Sequence, residues 1–192
     1  MKEMWKYQET DPIFFTSDTH FNHANIIKFC NRPYVSTDEM NREIIENWNE
    51  VVPENGIVFH LGDFAFGGTE VWKTCRSALH GSVYLIEGNH DIRQNGALKY
   101  ELFEGVFKQL TIYVGKTEIL LCHYPFLCYA GRERGTIQLF GHVHSGPNQV
   151  NLDSPRLQYL YSTQYDVGVD NNNFTPISYS EVMKKIKQQT IL

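Results

Sequence analysis

Gly88-Asn89-His90-Asp91 sets an amide, an imidazole and a carboxylate side by side, directly after the apolar run Ser82-Val83-Tyr84-Leu85-Ile86. A buried strand that stops in such residues points to a site, because ligands in open α/β sheets gather beyond the carboxyl ends of strands. The arrangement recurs along the chain. Ile13-Phe14-Phe15-Thr16 leads to Asp18 and His20, and Ile57-Val58-Phe59-His60-Leu61 leads to Gly62-Asp63. The run from Thr117 to Cys122 ends at His123, and the run from Thr136 to Phe140 ends at Gly141-His142-Val143-His144. Any one of these stops could be a helix cap or a surface histidine; five in succession ask for a common purpose. Their oxygen and nitrogen donors suit borderline divalent cations such as Mn²⁺, Fe²⁺ or Zn²⁺, and no thiolate pattern suggests a structural zinc knuckle. Residues two apart on an extended backbone project to one side, so Asp18 with His20, and His142 with His144, are expected to face a shared point. So many donors exceed one tetrahedral ion and suffice for two if a carboxylate bridges. Two metals roughly 3.5–4 Å apart form a clamp for phosphoryl displacement.

The elements that would position these residues alternate between strand and helix. After His20, residues 21–30 read as a short helix. Ser36 and Glu39 form a capping box for a longer one, with Met40, Ile44, Trp48 and Val52 on a single i, i+4 stripe that reads as core packing. Thr69 reads as the cap of a third helix whose Trp72, Cys75 and Leu79 face inward before Gly81. Asn95 to Glu104 looks helical. From Phe107 to Val114 and from Thr117 to Cys122 the pattern becomes antiparallel, joined by the two-residue loop Gly115-Lys116. Gln158 to Val169 reads as strand. A final helix begins at a second capping box, Ser178 with Glu181, and carries Val182 and Ile186 on its apolar side. There are no repeats, linkers or low-complexity tracts, so residues 1–192 are expected to form one domain.

Composition narrows the class. The chain has 192 residues, 42% hydrophobic and 14% aromatic, which describes an ordinary globular core. Its net charge of −5 disfavours non-specific binding to nucleic acid or an anionic membrane, both of which need a basic face. Cys30, Cys75, Cys122 and Cys128 form no C-x-x-C pair and read as reduced thiols. No stretch is apolar enough to be a signal peptide or to span a bilayer, and a cytoplasmic location is the expectation.

Taken in order, Asp18-Thr19-His20, Gly62-Asp63, Gly88-Asn89-His90-Asp91, His123 and Gly141-His142-Val143-His144 resemble the motif set of the calcineurin-like metallophosphoesterases. The stretch Ser17-Asp18-Thr19-His20-Phe21-Asn22-His23 further resembles the small bacterial and phage phosphoesterases of that superfamily. The resemblance implies a four-layer α/β/β/α sandwich with mixed sheets, and metals at the C-terminal edges of the central strands. It implies that Asp18, His20 and His144 hold one metal, that Asn89, His123 and His142 hold the second, and that Asp63 bridges. It gives His90 the substrate phosphate and the leaving group, with Asp91 orienting His90. The reaction implied is hydrolysis of a small phosphodiester or phosphomonoester, nucleotide-derived among the candidates, by hydroxide that the metals activate.

Two departures bear on the substrate. The protein phosphatases of the superfamily follow their Gly-Asp with Val-Asp-Arg-Gly, whereas here Phe64-Ala65-Phe66-Gly67-Gly68 follows, and Asp91 stands where they have Glu. The phosphate-binding Arg is therefore absent, and a phosphoprotein substrate is not expected. Cys122 stands where many relatives have Gly or a small polar residue. His23, Arg32, Arg132 and Arg134 are candidates for the missing phosphate contact, each of which could equally be a solvated surface residue. His60 and His80 read as structural, and Asp166 and Asp170 as strand-end hydrogen-bonding groups. Two rival functions stand beside the leading one: a nuclease, which the acidic balance disfavours, and a catalytically silent scaffold, which the full ligand set disfavours. The metal pair, substrate and oligomeric state are left open.

Overall fold

The computed structural model describes residues 5–91, 99–147 and 154–190. Two five-stranded mixed sheets lie face to face. The first is built on the βαβ logic of the N-terminal half: β2 (Ile13–Thr16), β3 (Ile57–His60), β4 (Ser82–Ile86) and β5 (Gly105–Phe107) run parallel, with β10 (Ile177–Ser178) antiparallel to β2. The second runs in the order β1 (Trp5–Tyr7), β6 (Gln109–Val114), β7 (Thr117–Cys122), β8 (Ile137–Phe140) and β9 (Gln164–Asp166). Its β6–β7 hairpin closes through Gly115-Lys116, while β7, β8 and β9 are parallel.

Strand alternation divides the core in two. Ile13, Phe15 and Phe59 point from the first sheet toward Ile112, Ile119, Leu121 and Leu139 of the second, forming the layer between the sheets. Val58, Val83 and Leu85 point the other way, onto the helices α1 (Ala24–Phe29), α2 (Thr37–Val51) and α3 (Thr69–Ser77). The stripe Met40, Ile44, Trp48 of α2 is fully buried there. The Ser36 hydroxyl accepts the N–H of Glu39, and the Glu39 carboxylate reaches one residue further back than a capping box requires, to the N–H of Val35. The box at α5 (Tyr179–Thr190) is reciprocal: Glu181 accepts from Ser178 N–H and Ser178 accepts from Glu181 N–H. Val182 and Ile186 of α5 join the core between the sheets. The loop after β7 covers the outer face of the second sheet, held there by Gln138, which bonds the backbone of Phe126 and Tyr124, and by Gln164, which bonds Phe126.

Four local expectations change. Phe107 belongs to β5 in the first sheet, so the run from Phe107 to Val114 is two strands, and the chain crosses between sheets at Lys108. Residues 154–159 form a 3-10 helix and only 164–166 are strand, because Ser-Pro opens the segment as a turn. Gly68, not Thr69, is the N-cap of α3. The helix expected from Asn95 to Glu104 ends earlier, at Leu102 of α4 (Lys99–Leu102), and the part before Lys99 lies outside the described residues. No helix among the described residues is long and apolar enough to cross a membrane.

Register explains why the site forms where it does. Thr16 pairs with His60, and His60 with Leu85, so the chain leaves β2, β3 and β4 along one edge. On the second sheet, Leu121 pairs with Leu139 and Phe140 with Asp166, which brings the exits of β7, β8 and β9 to a common edge. A parallel bridge between Ser17 and Gly168 joins the two edges.

Candidate metal centre

At this joined edge the backbone turns sharply. Asp18 (φ 58°), His20 (48°), Asp63 (57°), His142 (70°) and His144 (45°) all take left-handed conformations, five of the nine non-glycine residues with positive φ among those described. Each costs about 1–3 kcal/mol unless surrounding structure holds it, and such residues cluster at functional sites. The expected strand alternation is therefore not what aligns Asp18 with His20 or His142 with His144; paired left-handed turns do so after the strands have ended.

The turns are held by a hydrogen-bonded frame. Asp18 N–H donates to Gly62 O at 2.9 Å and His20 N–H to Asp63 O at 3.0 Å, locking the first two exits together. Asp18 Oδ2 accepts the N–H of His142 at 2.9 Å, tying in the second sheet. The Asp91 carboxylate accepts from the N–H groups of Asp63 (2.7 Å), Phe64 (3.0 Å) and Gly88 (2.8 Å). Asp91 thus fixes the Asp63 turn against the Gly88 loop, beside its electrostatic pull on the neighbouring His90. His90 is also held through its own N–H, which donates to Asp63 Oδ1 at 3.0 Å. Two glycines are required by close approach: a Cβ on Gly88 would collide with Asp63 Oδ1, and one on Gly141 with Ser17 Oγ and Asp18 Oδ2.

Within this frame the polar atoms converge. Asp18 Oδ1 lies 3.9 Å from His20 Nε2 and 3.8 Å from His144 Nε2. Asp63 Oδ2 lies 3.5 Å from His20 Nε2, 3.7 Å from His123 Nε2 and 3.9 Å from His90 Nε2. Asn89 Oδ1 is 3.2 Å from His123 Nε2, and the rings of His123 and His142 are centred 5.1 Å apart. Three groups of donors among the described residues have ligand atoms all within 4.8 Å of one another: Asp18, His20 and His144; Asp18, Asp63 and His123; and, on the far side of the His144 ring, Cys30, His144 and Asp170.

Ring orientation selects the right tautomers. His123 Nδ1–H donates to Leu61 O at 2.6 Å, and His144 Nδ1–H donates to the Asp170 carboxylate at 2.6 Å, so in each ring Nε2 is the nitrogen that faces the carboxylates, where a cation would take the place of any proton on it. Burial holds His20 and His123 well toward the neutral form. Burial, reinforced by Asp18 and Asp91, pushes the Asp63 carboxyl up to about 8. Burial opposes a proton on His144, but Asp18 and the Asp170 hydrogen bond outweigh it and raise the pKa to about 11. Such a field attracts positive charge. Asp18 Oδ1 and His20 Nε2 are buried without a hydrogen-bond partner, which is costly unless something cationic or a water completes them. The residues present fit a divalent cation.

Asp170 and Arg32 belong to this centre in a way the sequence did not reveal. Arg32 is 4% exposed; its guanidinium grips Asp170 through Nε (2.9 Å) and Nη2 (2.8 Å), and donates to Asp18 O and Thr19 O. Arg32 is therefore committed to buried partners, and not a phosphate contact. Asp170 in turn holds His144, with the Cys30 side chain beside the same ring. Their separation of 138 residues left no local signal. Arg132 lies over the Tyr161 ring at 4.2 Å and against Glu133, and Arg134 lies near Tyr113 on the outward face of β6; neither is brought to the cluster. His23 is brought there: its ring stacks on Phe66 at 4.1 Å, and its Nδ1 is 3.4 Å from His20 Nδ1. His60 is structural, bonded to Thr19 Oγ1 and Gly62 N–H, and His80 bonds Val52 O and Glu54.

The calcineurin-like phosphoesterase superfamily domain matches residues 12–154. The chain belongs to this family. Metal binding and ester hydrolysis are the properties that membership implies, and the donor clusters above are where a cation would sit. An uncharacterised protein of Methanocaldococcus jannaschii is 34% identical over 182 residues, with 94% of each chain covered. The gene 66 protein of Mycobacterium phage D29 is 28% identical, covering 82% of this chain and 87% of its own. Among solved structures, a protein of unknown function from Aquifex aeolicus superposes with a TM-score of 0.67 at 25% identity, covering 90% of this chain and 97% of that one.

Proposed function

We propose that the chain is a two-metal phosphoesterase that hydrolyses small phosphodiesters, with phosphomonoesters as a second substrate class. The position of Asp63 carries this reading: one carboxylate oxygen lies within 3.5–3.9 Å of His20, His123 and His90, so it can serve both donor groups and the reacting ester at once. Asp18, His20 and His144 would hold one ion and Asn89, His123 and His142 the other, Asp63 being common to both. Bound divalent cations of the Mn²⁺, Fe²⁺ or Zn²⁺ class supply Lewis acidity toward phosphoryl oxygens and lower the pKa of water. In hydrolysis a phosphorus–oxygen bond forms to water, which gives up a proton to solvent, and the bond to the leaving oxygen breaks. That oxygen takes a proton, which His90, 40% exposed and 3.9 Å from Asp63, would deliver. Burial lowers the His90 pKa while Asp91 and Asp18 raise it; an arriving phosphate anion shifts the balance toward the imidazolium.

The test is hydrolysis of bis-p-nitrophenyl phosphate and of p-nitrophenyl phosphate by protein loaded with Mn²⁺. The expected result is metal-dependent turnover that a chelator abolishes and added metal restores. Bound metal with no turnover of either ester would reject the enzymatic reading in favour of a scaffold.

A further inference from the structure

His142 belongs to two environments. Its ring meets His123 in the donor cluster, and the same residue lines a cavity of about 520 Å³ formed mainly by Tyr124, Leu127, Leu157, Tyr159 and Leu160. This size suits a nucleoside-sized group. Tyr124 stands at the junction, its ring edge-on to His123 at 4.9 Å and to His142 at 4.8 Å. Six large apolar side chains are exposed among the described residues, and three of them, Tyr124 (40%), Leu127 (70%) and Tyr159 (66%), line this one cavity. Surface apolar residues scattered singly need no explanation, but a group beside a polar site marks a binding surface.

The leaving-group residue sits among other rings. His90 neighbours His20, His23 and Phe66, at ring separations of 5.4, 6.1 and 5.3 Å. A phosphodiester has two organic arms, and the chain offers each a separate place: the departing arm beside His90, the retained arm beside His142.

We infer that the Tyr124–Tyr159 cavity binds the retained arm of the diester and that this arm carries a planar aromatic group of nucleobase type. The inference rests on the phosphoesterase reading for the position of the phosphate, but the cavity is testable without turnover. Two tyrosines favour a flat ring, which stacks with little loss of conformational freedom, and Arg156 brings a cation to the cavity wall.

The first experiment is a calorimetric titration of the metal-loaded protein, at a temperature where a phosphate-release assay shows the ligands intact, with adenosine 5′-monophosphate and with ribose 5-phosphate, in which an anomeric hydroxyl stands in place of the base. The monophosphate is expected to bind at least about tenfold more tightly, as one stacked base would give. The double variant Leu127→Ser, Tyr159→Ala should lose that ratio while keeping its affinity for ribose 5-phosphate. Both positions are largely exposed, so the fold should survive, and circular dichroism checks it. The second experiment compares kcat/KM for thymidine 5′-(p-nitrophenyl phosphate) and methyl p-nitrophenyl phosphate; the variant should lose the preference for the nucleoside ester through KM. Equal binding of the two monophosphates by the unaltered protein, or a ratio the variant retains, would overturn the inference. Turnover of the methyl ester with no nucleoside preference would do so too, while leaving the phosphoesterase reading intact. Binding of the base by a protein inert toward both esters would instead support the cavity and reject the enzyme.

Discussion

At the scale of single residues, Asp63 and His90 should fail differently. His90→Ala removes a ring that is only half-buried and keeps the backbone N–H that donates to Asp63. It is expected to keep bound metal and lose about 10²–10⁴ in kcat, the usual worth of a general acid. Asp63→Ala removes an oxygen near three imidazoles and should lose both metal and turnover. Metal analysis of the two purified variants, paired with kinetics, checks the division, and equal metal loss would refute it. Asp170 acts one step away. Asp170→Asn keeps the size of the side chain but weakens the acceptor for His144 Nδ1–H and breaks the ion pair with Arg32. Metal affinity should fall about 10–100-fold, as is typical when the orienting partner of a ligating imidazole is lost. A competition titration with a chromogenic chelator measures it.

At the scale of elements, the turns matter more than the strands that feed them. Gly88→Ala puts a methyl group where Asp63 Oδ1 lies, between two backbone segments that Asp91 pins together. The variant should retain its helical signal in circular dichroism yet lose most metal binding, because the Asp63 turn must move and the helices need not. Much of this level was legible beforehand. The runs Ile13–Thr16, Ile57–His60 and Ser82–Ile86 are mostly buried and read as strands from apolar character alone. The polar residues after them marked the edge where the site forms. What stayed hidden depends on contacts far along the chain. Asp91 reads in the sequence only as a neighbour of His90, and the three N–H groups that its carboxylate accepts come from the folded loop. Arg32 looks like a surface cation until Asp170, distant in sequence, folds over it. The left-handed turns were also invisible: Asp and His enter that region more often than most residues, but only a small minority of them do, so their presence does not announce it.

At the scale of the whole molecule, two consequences concern stability. His60 is fully buried as the neutral imidazole, with its pKa lowered to about 3 by burial. The unfolded chain takes up a proton near pH 6.5 and the folded chain does not, so this stabilisation is present in full above pH 6.5 and is lost progressively as pH falls toward 3. Replacing His60 by Gln should flatten the acid limb of a urea-denaturation pH series in that window. A cation that binds only the folded chain should also stabilise it, by about 2.7 kcal/mol per site at a hundredfold excess over Kd. For a chain of this size that raises Tm by roughly 5–11 °C. Differential scanning fluorimetry with Mn²⁺ and with a chelator reads the difference.

The donors are shared between the sheets: Asp18, His20, Asp63 and Asn89 leave the first, and His123, His142 and His144 leave the second. An ion seated there works as a rivet through two leaves, resisting shear along the seam that Ser17 and Gly168 begin. Stripping it should loosen the leaves at that margin and nowhere else, so amide hydrogen exchange would quicken beside Leu61 and Phe140 while the helix-covered side of β3 and β4 stays slow.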